Sequence, residues 1–264
     1  MKISEFTYTI DDVITTDRYL KYCQTNHRCY IKTDYFYIGN FNWRGVTHPT
    51  HIDKICVSGH SDYPITSDIA QKFRRIFCVN KDCDASNCYG IPLGIGNDCN
   101  DSPQHKIYGN LNILSDCQQI PKNKETLLYM NFNTSTYPIE REYVHKLFSS
   151  IEWVKEGNID NTLVGRISYL EDMKKSKFVL CPRGNGIDTH RLWEALYVGS
   201  IPIVKYHKNS YDLFSDLPIL FVDSWEIINE EFLVDIYRNF INIDWTMEKL
   251  KISYWENFIT EHAK

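Results

Sequence analysis

Residues 177–205, KFVLCPRGNGIDTHRLWEALYVGSIPIVK, read as strand, glycine-bearing loop, helix, glycine stop and strand. Phe178, Val179 and Leu180 make a short buried strand, which Pro182 ends because proline has no N–H to give to a sheet ladder. Arg183, Gly184, Asn185 and Gly186 follow as a loop whose glycines let the backbone approach a ligand closely. Asp188 or Thr189 is expected to cap a helix running to about Val198, with Gly199 as its stop and residues 201–204 as the next buried strand. A β-loop-α-β unit of this kind points free amides and the positive end of a helix dipole over the sheet's carboxyl edge. That is the layout of a phosphate site.

Spacing within the helix adds chemistry. Leu192, Ala195 and Leu196 share one face and should pack on the sheet, while Arg191 and Glu194, three apart, share another. Two readings fit that spacing. In one, Arg191 and Glu194 form a surface ion pair and Arg183 is an ordinary loop arginine. In the other, Glu194 binds a pair of sugar hydroxyls one turn into the helix and Arg183 neutralises a diphosphate, which describes a nucleotide-sugar site.

The run FVLCPRGNGIDTHRLWEALYVGSIPIV (178–204) resembles the C-terminal signature of exostosin-like glycosyltransferases, as does LPILFVDSWEIINEEFL (217–233). LLYMNFNTSTYPIERE (127–142) resembles the segment that opens the nucleotide-binding domain in such proteins. The resemblance spans about residues 125 to 235. It implies an α/β protein of GT-B architecture, with two Rossmann-like domains facing a central cleft. It also implies an inverting transfer from a nucleotide sugar that needs no metal or other cofactor. On that reading residues 1–120 form an acceptor-binding domain, residues 121–245 a nucleotide-sugar-binding domain, and residues 246–264 a helix that crosses back onto the first.

Bulk composition is compatible with this. A chain of 264 residues holds one large domain or two small ones, and 43% hydrophobic with 24% charged residues is the balance of a soluble globular protein. A net charge of −5 without a basic run argues against an electrostatic nucleic-acid or membrane-surface binder. Aromatic residues make up 14% of the chain, and such rings serve carbohydrate clefts as well as cores and interfaces. No apolar run has transmembrane length and MKISEFTYTIDD lacks a signal-peptide core, so a cytoplasmic enzyme is expected. Animal exostosins are instead anchored in the Golgi, so a bacterial or viral glycosylation system (host cytoplasm, if viral) fits better. The nine cysteines then read as reduced thiols. The gaps between Cys78, Cys83, Cys88 and Cys99 do not make paired zinc knuckles.

The sequence pattern places strands at 54–58 and 76–79, with a helix between them over 66–75 and an apolar segment at 91–94. Residues 97–106 read as loop and 118–125 as a linker. The second half reads as strand 126–132, helix 138–149 with Pro138 in its first turn, and strand 151–154. A helix opened by a Ser168/Glu171 capping box then runs to about Ser176. After the signature come a short helix near Tyr211, a strand at 218–222 and helices over 230–240 and 246–262.

The candidate donor site follows from these placements. Arg183, with Gly184, Asn185 and Gly186, is the expected diphosphate clamp, and the resemblance assigns Glu194 to the ribose. Arg191 and His190 at the helix start are further donor-site candidates. Asn133, Thr134 and Ser135 follow the strand that opens the second half, where phosphate or base contacts arise, or where they are simply turn-formers. Arg141 and Lys205 are additional cations at the same sheet edge. An inverting transfer also needs a base to take the acceptor proton, and the resemblance puts it on the first half. Asp62 is the choice and His60 the alternative, in the loop GHSDYP; Asp34 and His51 are outsiders.

The expected reaction moves a monosaccharide from a UDP-sugar, such as UDP-xylose, UDP-glucuronate or UDP-galactose, to a hydroxyl of a glycan acceptor. Two alternatives stand beside it: a fucosyltransferase-like enzyme using GDP-fucose, and a non-catalytic nucleotide- or sugar-binding module.

Overall fold

The computed structural model describes residues 1–26, 35–38, 51–59, 62–97, 105–121 and 123–264. It is an α/β fold built on two parallel sheets. The first has four strands in the order β1 (Tyr35–Ile38), β2 (His51–Ser58), β3 (Phe73–Cys78) and β4 (Cys88–Gly90). The second comprises β5 (Thr126–Met130), β6 (Val154–Glu156), β7 (Ser176–Leu180), β8 (Ile201–Lys205) and β9 (Leu220–Val222), in the spatial order β6-β5-β7-β8-β9. Every pairing in both sheets is parallel, so each connection has to cross over.

Among the described residues, ten α-helices supply those crossovers and the outer layers. In the first half they are α1 (Thr16–Asn26), α2 (Ser67–Ala70), α3 (His105–Tyr108) and α4 (Leu111–Gln118). The second half adds α5 (Pro138–Phe148), α6 (Leu163–Lys174), α7 (His190–Tyr197), α8 (Lys208–Tyr211), α9 (Glu230–Phe240) and α10 (Ile252–His262). No helix among the described residues is long and apolar enough to cross a membrane.

The second sheet is covered on both faces, which is why its strands read as unbroken apolar runs. Phe178 and Leu180 point into one core with Val144, Phe148 and Leu233, while Val179 points into the other with Leu170, Leu192 and Leu196. This second core does not stop at the sheet. It continues through Trp193 and Trp255 to Val57, Phe77 and Val79 of the first sheet. Phe258 of α10 meets Phe77 and Tyr89 edge-on, with centroids 6.2 and 5.9 Å apart.

Several expectations shift in detail. The helix expected over 66–75 is the single turn of α2, because Arg74 and Arg75 lie in β3, where Phe73 and Ile76, Phe77 and Cys78 are buried. Residues 91–94 form no strand. They are an extended segment held by Ile91 N–H donating to Cys78 O and Ile95 N–H to Ile14 O. Lys106 sits in a helix rather than a loop, and the strand expected at 151–154 is β6. The strand expected at 218–222 is the shorter β9. Thr162, not Ser168, caps α6: its Oγ1 accepts Gly165 N–H at 3.1 Å, and Ser168 lies mid-helix. Ser176 already belongs to β7.

Cys56, Cys78, Cys83 and Cys88 are buried together under the first sheet, with Cys78 and Cys88 Sγ atoms 3.6 Å apart; Cys99 lies outside the described residues.

Candidate active site

The strand order creates the site. From β5 the chain turns outward to β6 and then back across to β7, so the order reverses between β5 and β7. Ligands of open parallel sheets sit outside the carboxyl ends at such a switch point. A cavity of about 610 Å³ lies there. Its walls come from the loops after β5, β6 and β7 and from the first half, which contributes Thr16, Asp62, Leu93 and Tyr108 among others.

The loop after β7 forms the floor. A Cβ on Gly184 would come within 3.2 Å of Arg141 Nη2, and one on Gly186 within 2.6 Å of Asn80 Nδ2. The glycines thus let the loop lie against a guanidinium on one side and against the first half on the other. Asp188 then staples the halves together. Its backbone N–H donates to Asn80 Oδ1 at 2.8 Å, and its carboxylate accepts the Leu93 and Thr189 N–H groups and Trp193 Nε1. Burial drives this carboxyl's pKa up to about 6, and the three donors hold it there against a larger rise. Asp188 therefore does not cap the helix with its side chain, and neither does Thr189, the N-cap residue.

Two cations face the cavity. Arg141, buried on α5, donates from Nε to Arg183 O at 2.8 Å and from Nη1 to Asn133 O at 2.9 Å. Arg191 extends from the first turn of α7 to the same Phe132 ring; the two guanidinium carbons lie 5.8 and 5.6 Å from that ring's centroid. Among the described residues neither forms an ion pair with a carboxylate. Arg191 Nε and Nη1 and Thr189 Oγ1 are buried polar atoms without a hydrogen-bond partner there. Burial and the neighbouring Arg191 charge lower the Arg141 pKa to about 10, which still leaves it cationic at neutral pH. Two like charges and three unsatisfied polar atoms at a helix N-terminus make an anion site.

Arg183 is placed differently. Its guanidinium turns back to its own loop, with Nη2 donating to Asn185 O at 3.1 Å, and lies over Tyr137 at 4.6 Å. It does not line the cavity, and nor do Lys205, Thr134 or Ser135. Lys205 and Arg183 instead act on half-buried Glu140, whose pKa is raised by desolvation and partly restored by the Arg183 N–H and those two charges. Gly184, Asn185, Gly186, Asn133, Arg141, His190, Arg191 and Glu194 do line it. Asn133 also turns the chain, its Oδ1 accepting from Ser135 N and Oγ.

Glu194 is buried but does not pair with Arg191. Arg166 Nη2 lies 2.7 Å from Oε1, and Tyr169 Oη donates to Oε2 at 2.8 Å. Burial alone would raise this carboxyl's pKa; the Arg166 charge and the two hydrogen bonds outweigh it and the net shift is downward. Arg166 was not among the residues picked from the sequence. The signal was present: Arg166, Leu170 and Met173 fall on one stripe of α6, and an arginine on a buried stripe requires an acidic partner.

On the facing wall, Asp62 lies exposed and close enough to His190 for its charge to favour the imidazolium. Desolvation of the ring pulls the other way and dominates, so the His190 pKa falls and the neutral form is favoured, although part of the residue stays exposed. His190 Nδ1 sits 2.8 Å from Gly94 O. A carbonyl only accepts, so Nδ1 carries the proton and Nε2 is left as an acceptor. His60, Asp34 and the His51 side chain lie outside the described residues.

Residues 137–258 match the family model described as the RXYLT1 C-terminal domain. That stretch covers α5 to most of α10 and includes Arg141, Arg166, Arg191 and Glu194. The match supports a glycosyltransferase family for the chain. Among solved structures, a crystal structure of an α1,3-fucosyltransferase aligns over 94% of this chain and 95% of its own, at 13% identity and a TM-score of 0.44. No curated protein sequence matches.

Proposed function

We propose that the chain is a glycosyltransferase that moves a monosaccharide from a nucleoside-diphosphate sugar to a hydroxyl of a glycan acceptor. The observation that carries this is the pair of cavity-facing arginines, Arg141 and Arg191, both set against the Phe132 ring with no carboxylate partner among the described residues. The diphosphate lies between them and over the start of α7, and their charge stabilises the leaving nucleotide as the glycosidic bond breaks. On this reading they take the part a metal ion plays in other transferases. Glu194, deeper in the same cavity, accepts the ribose hydroxyls. Asp62 takes the acceptor's proton as its oxygen attacks the anomeric carbon from the opposite face, an inverting displacement. His190 Nε2 accepts a hydroxyl of the transferred sugar. The architecture is read as GT-B, with the acceptor bound by the first half and a UDP-sugar by the second.

Calorimetric titration of the protein with UDP, GDP and their sugar conjugates tests the proposal, alongside Arg191→Ala. Wild type should bind one nucleotide class. The variant should bind it roughly tenfold to a hundredfold more weakly, the range expected for losing charge-assisted bonds to phosphate. Folded wild-type protein that binds neither nucleotide would remove the donor site, and the transferase reading with it. Binding without turnover on any glycan acceptor would leave a nucleotide-sugar-binding module.

A further inference from the structure

Arg166 sits where it can control the ribose subsite. Its guanidinium is almost fully buried between two rings, with its central carbon 5.3 Å from the Tyr169 centroid and 5.9 Å from that of Tyr108. From Nη2 it reaches two acceptors on different parts of the chain, Glu194 Oε1 at 2.7 Å and the backbone oxygen of Tyr108 at 3.0 Å. Tyr108 belongs to α3 in the first half, and its hydroxyl donates to Asn161 Oδ1 in the loop after β6. Tyr108, Asn161, Arg166, Tyr169 and Glu194 all line the cavity.

A carboxylate buried this deeply stays ionised and fixed in direction only if a cation is fixed against it. Here that cation is planar and clamped by stacking, so it sets the plane of the Glu194 carboxylate as well as its charge. Tyr169 holds the second oxygen, and each oxygen keeps a lone pair for a further donor. Glu194 thereby offers two oriented acceptors to a vicinal diol.

Resting on the reading of the cavity as a nucleoside-diphosphate site, we propose that Arg166 is the positioning residue of the ribose subsite. It touches no part of the nucleotide. It orients Glu194 toward the 2′ and 3′ hydroxyls and, through Tyr108, ties that subsite to the first half of the chain. The consequence is selectivity for ribose, separate from the affinity for diphosphate that Arg141 and Arg191 supply.

The test compares UDP and GDP with their 2′,3′-dideoxy counterparts by calorimetry on wild type, Arg166→Lys and Arg166→Met. Lysine keeps the charge but loses the planar guanidinium that lies against the two rings, and it serves as the decisive variant if the methionine variant does not fold around an unpaired Glu194. Wild type should prefer the ribonucleotide by roughly tenfold to a hundredfold. The preference should shrink several-fold in Arg166→Lys and vanish in Arg166→Met, while affinity for the dideoxy ligand stays within about twofold. A purely structural arginine would lower both affinities together or leave both unchanged, and either result overturns the proposal. Wild type that binds nucleotide without preferring ribose overturns it too, while leaving the diphosphate site standing. Failure to bind any nucleotide removes the reading of the cavity itself.

Discussion

Arg183 and Arg191 leave the same loop-helix unit with the same charge, and their surroundings give them different work. Arg183 has loop carbonyls, the Tyr137 ring and nearby Glu140 to satisfy it; Arg191 has a ring below and two buried donors with nothing to meet. Replacing Arg183 by alanine should therefore weaken nucleotide binding by no more than about threefold, well below the loss at Arg191, because a half-buried arginine bonded to its own loop contributes little beyond that loop. Calorimetry on the two variants side by side reads the contrast, and equal losses would restore Arg183 as the clamp. Asp62 makes the complementary prediction. It belongs to the first half of the chain and the cavity-facing arginines to the second, so Asp62→Asn should bind nucleotide with wild-type affinity and lose at least about a hundredfold in transfer rate, the usual share of a general base. Transfer assays with a panel of glycan acceptors measure it, and wild-type rates would move the base elsewhere.

The start of α7 behaves as one unit with the segment after β4, because Asp188 accepts from Leu93 N–H while His190 meets Gly94 O. Gly94 has φ +71°, and a Cβ there would lie 2.2 Å from Ile14 O, so this contact tolerates no side chain. The junction also titrates. The Asp188 pKa is about 6 in the folded chain against the ordinary 3.8, so the folded state holds its proton more tightly than the unfolded one. Its contribution to stability is complete below about pH 4 and is lost as pH rises through 6, a change of about 3 kcal/mol by linkage. Urea unfolding of wild type and Asp188→Asn at pH 4.5 and 7.5 should show the wild-type advantage shrinking toward neutral pH; a constant difference would mean that this carboxyl does not titrate there. The same element shows why the sequence was readable in some places and not in others. The strand-loop-helix-strand over 177–205 was legible because both strands are buried on two faces and glycines punctuate the helix. Glu194 could be singled out from its place on the helix, but its partner could not: the Ser168/Glu171 pair imitates a capping box inside α6, so the helix was begun too late and Arg166 fell outside it. The four-residue α3 is too short to show an apolar period, and tertiary packing rather than local pattern fixes it.

At the scale of the whole molecule, the two sheets share one core besides the one each keeps on its other face. Trp255 of α10 lies edge-on to Phe214, 5.6 Å between centroids, and donates from Nε1 to Lys249 O, while the neighbouring Phe258 packs on Phe77 and Tyr89. Trp255→Ala should cost about 3–5 kcal/mol, the range for emptying a fully buried indole site. Because the core is shared, urea should unfold the chain in one transition, with fluorescence and far-ultraviolet dichroism coinciding; two separated transitions would show that the halves unfold independently. The position of α10 along the chain also has a consequence during synthesis. The last strand of the first sheet ends at Gly90, yet the helix that covers Phe77 and Tyr89 ends at His262. At ordinary translation speeds the ribosome needs on the order of ten seconds or more to make the intervening residues. Throughout that interval the nascent first half carries an uncovered aromatic face, which makes it a natural client for chaperones that act on growing chains.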